Sequence, residues 1–132
     1  MPLDVLVVED NKFSRHILKD RLERRNHRVS VVENGWKCLE IFKSKFKKMT
    51  TNSQKTPFDY VLLDYNMPVL KGNEVAEEIL QISPTQNIII ISAWDSSVLR
   101  SEFKKMKESI EILNKGFPIN ALIEKLESGE NK

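Results

Sequence analysis

The sequence predicts an α/β fold in which five βα units, (βα)5, build a doubly wound, parallel five-stranded sheet. Three observations carry this. Five short runs of apolar, largely β-branched residues recur along the chain. Each is followed by a longer segment whose apolar residues return at helical spacing. Acidic, hydroxyl or basic residues stand at the ends of four of the five runs.

The strands read as Asp4 to Val8, Arg28 to Val32, Phe58 to Leu63, Asn87 to Ser92 and Ile110 to Asn114, each flanked by polar or turn-forming residues. Between them Phe13, Ile17, Leu18 and Leu22 mark one core-facing helical stripe, and Cys38, Leu39, Phe42 and Phe46 a second. Val75, Ile79 and Leu80 mark a third helix, Val98, Leu99, Phe103 and Met106 a fourth, and Ile119, Leu122, Ile123 and Leu126 the last. Right-handed crossovers favour the strand order 2-1-3-4-5, the flavodoxin-like arrangement, whose ligand crevice lies at the carboxyl ends of the strands.

The 132 residues are expected to form one domain, with a core spanning about 3–127 and no separate output domain. A net charge of +2, from 21 basic and 19 acidic residues, gives no basis for direct nucleic-acid binding. The longest apolar runs, Val5 to Val8 and Ile88 to Ile91, are too short to span a bilayer, and Met1 to Asp4 is no signal peptide, so a cytoplasmic protein without membrane association is expected. The lone Cys38 excludes an intramolecular disulfide and falls in an apolar stripe, which predicts core packing. The stretch from Ser44 to Thr56 is polar and basic, and reads as a helix end plus a solvated loop. Its sharper reading is a docking element for an acidic partner, through Lys43, Lys45, Lys47 and Lys48.

Glu9 and Asp10 follow the first strand and Asp64 ends the third, and these strands are neighbours in a 2-1-3 order. Two carboxylates ~4 Å apart repel by about 4 kcal/mol at an effective dielectric of 20, so three of them call for a cation. All the donors are oxygens, which favours Mg²⁺, or Mn²⁺, over zinc. An isolated Glu-Asp pair reads more readily as loop or helix-cap residues. Ser92 and Lys115 change this balance, because they end strands four and five at the same rim. A hydroxyl, an ammonium and a metal site around one carboxylate are the parts needed for phosphoryl transfer to an aspartate. Asp59 lies five residues before Asp64, roughly 16 Å along an extended strand, and belongs to the opposite rim. His16 and His27 show no pairing with a base or a metal and read as exposed or partly buried imidazoles.

Over nearly its whole length the chain resembles the response-regulator receiver family of two-component signalling. The matching segments are VLVVEDN (Val5 to Asn11), LLDYNMP (Leu62 to Pro68), Gly72, Ser92 and the Asn114-Lys115 pair. The resemblance implies that Asp64 accepts a phosphoryl group from a histidine kinase or a histidine phosphotransfer protein, with output by binding an unknown downstream protein. It implies Mg²⁺ on Asp10 and Asp64, with Glu9 acting through water and the Asn66 backbone carbonyl completing the set. Lys115 and Ser92 would contact phosphoryl oxygens, and the chain would catalyse only its own phosphorylation and dephosphorylation. Aspartate-nucleophile phosphatases and flavodoxins fit worse: the former need D-x-D after strand one, and the latter need a phosphate loop there.

Three positions depart from the family. Gly116 stands where a cis-proline usually follows the lysine, predicting a trans bond or a strained one that glycine tolerates. Ile112 replaces an aromatic switch residue and cannot copy its rotation, which predicts weaker coupling or a different output face. Trp94 occupies a position that tunes water access, which predicts slow loss of the phosphate, with Asn66 acting mildly in the other direction. Gly116 and Ile112 motivate the rival reading, a degenerate receiver that acts as a phosphorylation-independent interaction module.

Overall fold

A computed structural model describes residues 2–49, 55–67, 70–93, 99, 103 and 110–129. The strands are β1 (Asp4–Val8), β2 (Arg28–Val32), β3 (Tyr60–Asp64), β4 (Ile88–Ser92) and β5 (Ile110–Asn114). They form one parallel sheet in the order β2-β1-β3-β4-β5, as the alternating pattern predicts. The helices are α1 (Lys12–Arg24), α2 (Gly35–Lys48), α3 (Gly72–Ile82) and α4 (Ile119–Ser128). Most of the helix expected over Val98 to Met106 lies outside the described residues, but Leu99 and Phe103 are described and buried.

Because successive strand residues point to opposite faces, the sheet separates two cores. Leu6, Val8, Val61, Leu63, Ile88 and Ile90 meet Leu39 and Phe42 of α2 and Val75 and Ile79 of α3. Val5, Val7, Tyr60, Leu62 and Ile89 meet Leu18 and Leu22 of α1 and Leu122, Ile123 and Leu126 of α4. Cys38 is fully buried, and desolvation pushes its thiol up to about 12, which leaves it an inert packing residue.

Helix starts follow local chemistry. The Asn11 side chain accepts from the Ser14 N–H at 3.0 Å, and Asn34 does the same for Lys37 at 2.8 Å. α4 stops at Gly129, whose φ of 68° is the left-handed closing conformation that favours glycine.

Several expectations are corrected. Phe13 is 79% exposed and Ile17 42%, so only Leu18 and Leu22 of the first stripe face the sheet. The apolar arc of α1 is wider than its contact with the strands, and Ile17 instead walls a cavity of about 170 Å³ shared with Phe117 and Ile119. Phe46, near the end of α2, is likewise exposed. β3 begins at Tyr60 because Phe58 bonds to a side chain: the buried Gln86 accepts from its N–H at 3.2 Å and donates to its carbonyl at 2.8 Å. In the basic stretch after Phe42, Lys45 is used internally, bonded to Asp4 at 2.6 Å and lying 4.2 Å over the Phe58 ring. Residues 50–54 of that stretch lie outside the described residues.

His27 is not a bland imidazole. Buried at the rim opposite the strand carboxyl ends, its Nδ1 accepts from the Leu3 N–H at 3.0 Å and its Nε2 lies 2.8 Å from Glu127. An acceptor Nδ1 places the proton on Nε2, which donates to Glu127. Burial works to raise the Glu127 carboxyl, but Arg25 and His27 outweigh it and hold it below the usual carboxylate range. This joins the start of β1, the α1–β2 turn and the end of α4. His27→Ala strands the Leu3 N–H, and should cost about 2 kcal/mol in urea unfolding, while Glu127→Gln, which keeps an acceptor, should cost less.

Candidate functional site

The acidic residues meet because of strand register. Val8 of β1 lies opposite Leu63 of β3, so the next residues along, Glu9 and Asp64, emerge side by side. Carboxylate oxygens of Glu9, Asp10 and Asp64 all lie within 4.8 Å of one another. Asp64 is 3% exposed and Glu9 7%, whereas Asp10 faces solvent. The three acids singled out in the sequence therefore form one cluster at the predicted rim.

Each carboxylate is oriented separately. Glu9 continues the strand pairing through its N–H to Val32 O at 3.1 Å, and its Oε2 accepts from the Asn11 N–H at 2.9 Å. Asp64 Oδ1 accepts from the Asn66 N–H at 3.2 Å and lies 3.4 Å from Lys115 Nζ. Asp64 Oδ2 is buried with no hydrogen-bond partner. The loop after Asp64 is pinned by α3: the Gly72 N–H donates to Tyr65 O at 3.2 Å, and a Cβ on Gly72 would come within 2.9 Å of Tyr65 Cα. Glycine is required there for the helix to approach the backbone that carries Asp64.

Ser92 and Lys115 also arrive where expected. Ser92 is fully buried at the end of β4, and its carbonyl accepts from the Lys115 N–H at 2.8 Å, extending the β4–β5 ladder by one bond. Of the two possibilities at Gly116, the trans bond is found: no peptide bond among the described residues is cis. Instead, the Asn114 side chain closes the turn by accepting from the Gly116 N–H at 2.8 Å. Ile112 is half-buried against the core shared with α2 and α3. Trp94 lies outside the described residues.

The electrostatics are those of an anionic pocket awaiting positive charge. Burial pushes the Glu9 carboxyl up to about 7, with Asp64 adding to the effect and the Asn11 N–H opposing it. Burial also raises Asp64, against the neighbouring Glu9 side chain, the Lys115 charge and the Asn66 N–H. An oxygen-only donor set with one orphaned buried oxygen fits a hard divalent cation, and Lys115 alone leaves the cluster negative.

One residue was missed. Arg15, half-buried on α1, donates from Nη1 to the carbonyls of both Glu9 and Asp10. The signal was a basic residue in the first turn, where the helix dipole disfavours positive charge.

The raised Glu9 carboxyl sets a pH dependence. Between its ordinary value of 4.5 and about 7, the unfolded chain releases a proton that the folded chain keeps, so stability falls as pH rises through that window. Without divalent cation, Glu9 should account for at most about 3 kcal/mol of this loss. Urea unfolding from pH 4.5 to 8 in chelator should show a flatter profile for Glu9→Gln than for the unsubstituted protein.

Among the described residues no helix is long and apolar enough to cross a membrane. Residues 5–127 match the family described as the response regulator receiver domain. The chain is 32% identical over 81 residues to the response regulator mcs4 of Schizosaccharomyces pombe, covering 61% of this chain but only 13% of that protein. It is 30% identical over 96 residues to the chemotaxis protein CheY of Thermotoga maritima, covering 72% of this chain and 71% of CheY. The receiver domain of the histidine kinase CKI1 from Arabidopsis thaliana, solved with Mg²⁺ and BeF3⁻, superimposes with a TM-score of 0.77 at 26% identity, covering 94% of this chain and 89% of that one. Its sheet order, its acidic rim and this match over nearly all its length make the chain a member of the response regulator receiver domains of two-component signalling.

Proposed function

We propose that Asp64 accepts a phosphoryl group from a phosphohistidine on a histidine kinase or histidine phosphotransfer protein, in a reaction that depends on Mg²⁺. The observation that carries this is the buried Asp64 carboxylate itself, with Oδ1 held by Asn66 and Lys115 and Oδ2 without a hydrogen-bond partner among the described residues. Asp10, Asp64, Glu9 and the Asn66 carbonyl would hold the ion. When bound, Mg²⁺, or Mn²⁺ in its place, neutralises phosphoryl oxygens.

An Asp64 oxygen attacks phosphorus as the P–N bond breaks. The electron pair stays on the imidazole nitrogen, which takes a proton from solvent, and Asp64 is left as an acyl phosphate. The Lys115 ammonium, already 3.4 Å from Oδ1, pairs with one phosphoryl oxygen, and the Ser92 hydroxyl donates to another. Desolvation strengthens both contacts, since Asp64 and Ser92 are buried. The chain transforms only its own Asp64. It works in the cytoplasm and passes the signal on by binding another protein.

Intact-protein mass spectrometry after incubation with acetyl phosphate and Mg²⁺ should reveal a single phosphate adduct. Asp64→Asn should abolish it, and chelating the metal should reduce it at least tenfold. An adduct that persists in Asp64→Asn would refute the assignment, and no adduct at all would favour the degenerate reading.

A further inference from the structure

The Glu9–Asp10 segment ends β1 and precedes the Asn11 cap of α1, so its two carbonyls belong neither to the sheet ladder nor to the helix. Peptide carbonyls in such a junction need donors. Arg15 supplies both: its Nη1 lies 2.9 Å from Glu9 O and 3.0 Å from Asp10 O. The guanidinium is planar and cannot lose its proton, so one nitrogen anchored on two successive carbonyls fixes the two peptide planes. Those planes set where the Glu9 and Asp10 side chains leave the backbone. This contact runs against helix electrostatics, because Arg15 lies in the first turn of α1, whose first turn carries no acidic residue.

We infer that Arg15 is a positioning residue for the divalent-cation site: it touches neither the ion nor the phosphoryl group, and acts by holding the backbone that presents Glu9 and Asp10. The inference rests on the reading of Glu9, Asp10 and Asp64 as the metal carboxylates. Residues that orient metal ligands typically carry ten- to a hundredfold of the affinity. Lys115 meets the cluster directly, at Asp64, whereas Arg15 reaches it only through backbone carbonyls.

The sign of the effect separates this role from a bland one. A lone positive charge beside a cation site weakens cation binding, so removing it would leave Mg²⁺ affinity unchanged or tighten it. A positioning residue does the opposite. Calorimetric titration with Mg²⁺ alone, at a temperature where circular dichroism shows each protein folded, should find binding about tenfold weaker in Arg15→Met than in the unsubstituted protein. Arg15→Lys, which keeps a donor, should recover part of the loss. If Arg15→Met does not fold, Arg15→Gln replaces it with the same expected direction. Affinity equal to or tighter than that of the unsubstituted protein would overturn the inference while leaving the metal site standing. An unsubstituted protein that takes up no Mg²⁺ at millimolar concentration would overturn the metal site and this role together.

Discussion

The repulsion among three carboxylates at one end of a parallel sheet is the constraint on which the rest of the structure turns. Two of them, Glu9 and Asp64, are buried, and burial is the largest influence raising both carboxyls. Such a cluster opposes folding unless its surroundings are rigid enough to hold it. The sheet supplies that rigidity: β3, which delivers Asp64, is buried along its whole length between two apolar cores. Gly72 then lets α3 close on the Asp64–Tyr65 backbone, and Arg15 ties down the opposite segment. Stability spent at the rim is recovered in the packing beneath it.

What was legible in the sequence was whatever depends on local pattern. Apolar, β-rich runs bounded by polar residues located all five strands to within two residues, and the strand order followed from crossover handedness. The site was legible because strand ends in a parallel sheet converge, so Glu9, Asp10, Asp64, Ser92 and Lys115 could be placed from element order alone. What was not legible depends on tertiary neighbours. Phe13 and Ile17 continue an apolar stripe, but the surface that α1 buries is only wide enough for Leu18 and Leu22. His27 finds Glu127 one hundred residues away, and Gln86 replaces strand pairing at Phe58 with side-chain bonds. No window of local sequence contains those partners.

Two departures from the family pattern, Ile112 and Gly116, lie on β5 and in the turn that follows it. Ile112 is an aliphatic residue packed in the core, registered against Ile90 of β4, and it has no polar group that could respond to a charge at the rim. Among the described residues Tyr65, which follows Asp64, makes an aromatic contact, its ring meeting Phe103 edge-on at 6.1 Å. A buried aromatic pair of this kind couples the positions of its two rings more strongly than area alone would, because edge and face carry opposite partial charge.

Gly116 bears on the same question from the strand-five end. A cis-proline would shape the Lys115 turn covalently, through the isomer of one bond. Here three hydrogen bonds shape it: Lys115 N–H to Ser92 O, Gly116 N–H to the Asn114 side chain, and Phe117 N–H to Asn114 O. The first ties Lys115 directly to the strand that carries Ser92, so the ammonium and the hydroxyl are set by one extension of the β4–β5 ladder. The phosphoryl contacts proposed for these two residues would therefore load the same short piece of backbone. In this chain the turn after Lys115 is closed by the side chain of Asn114 across a trans bond, and a glycine after Lys115 is compatible with an ordered turn.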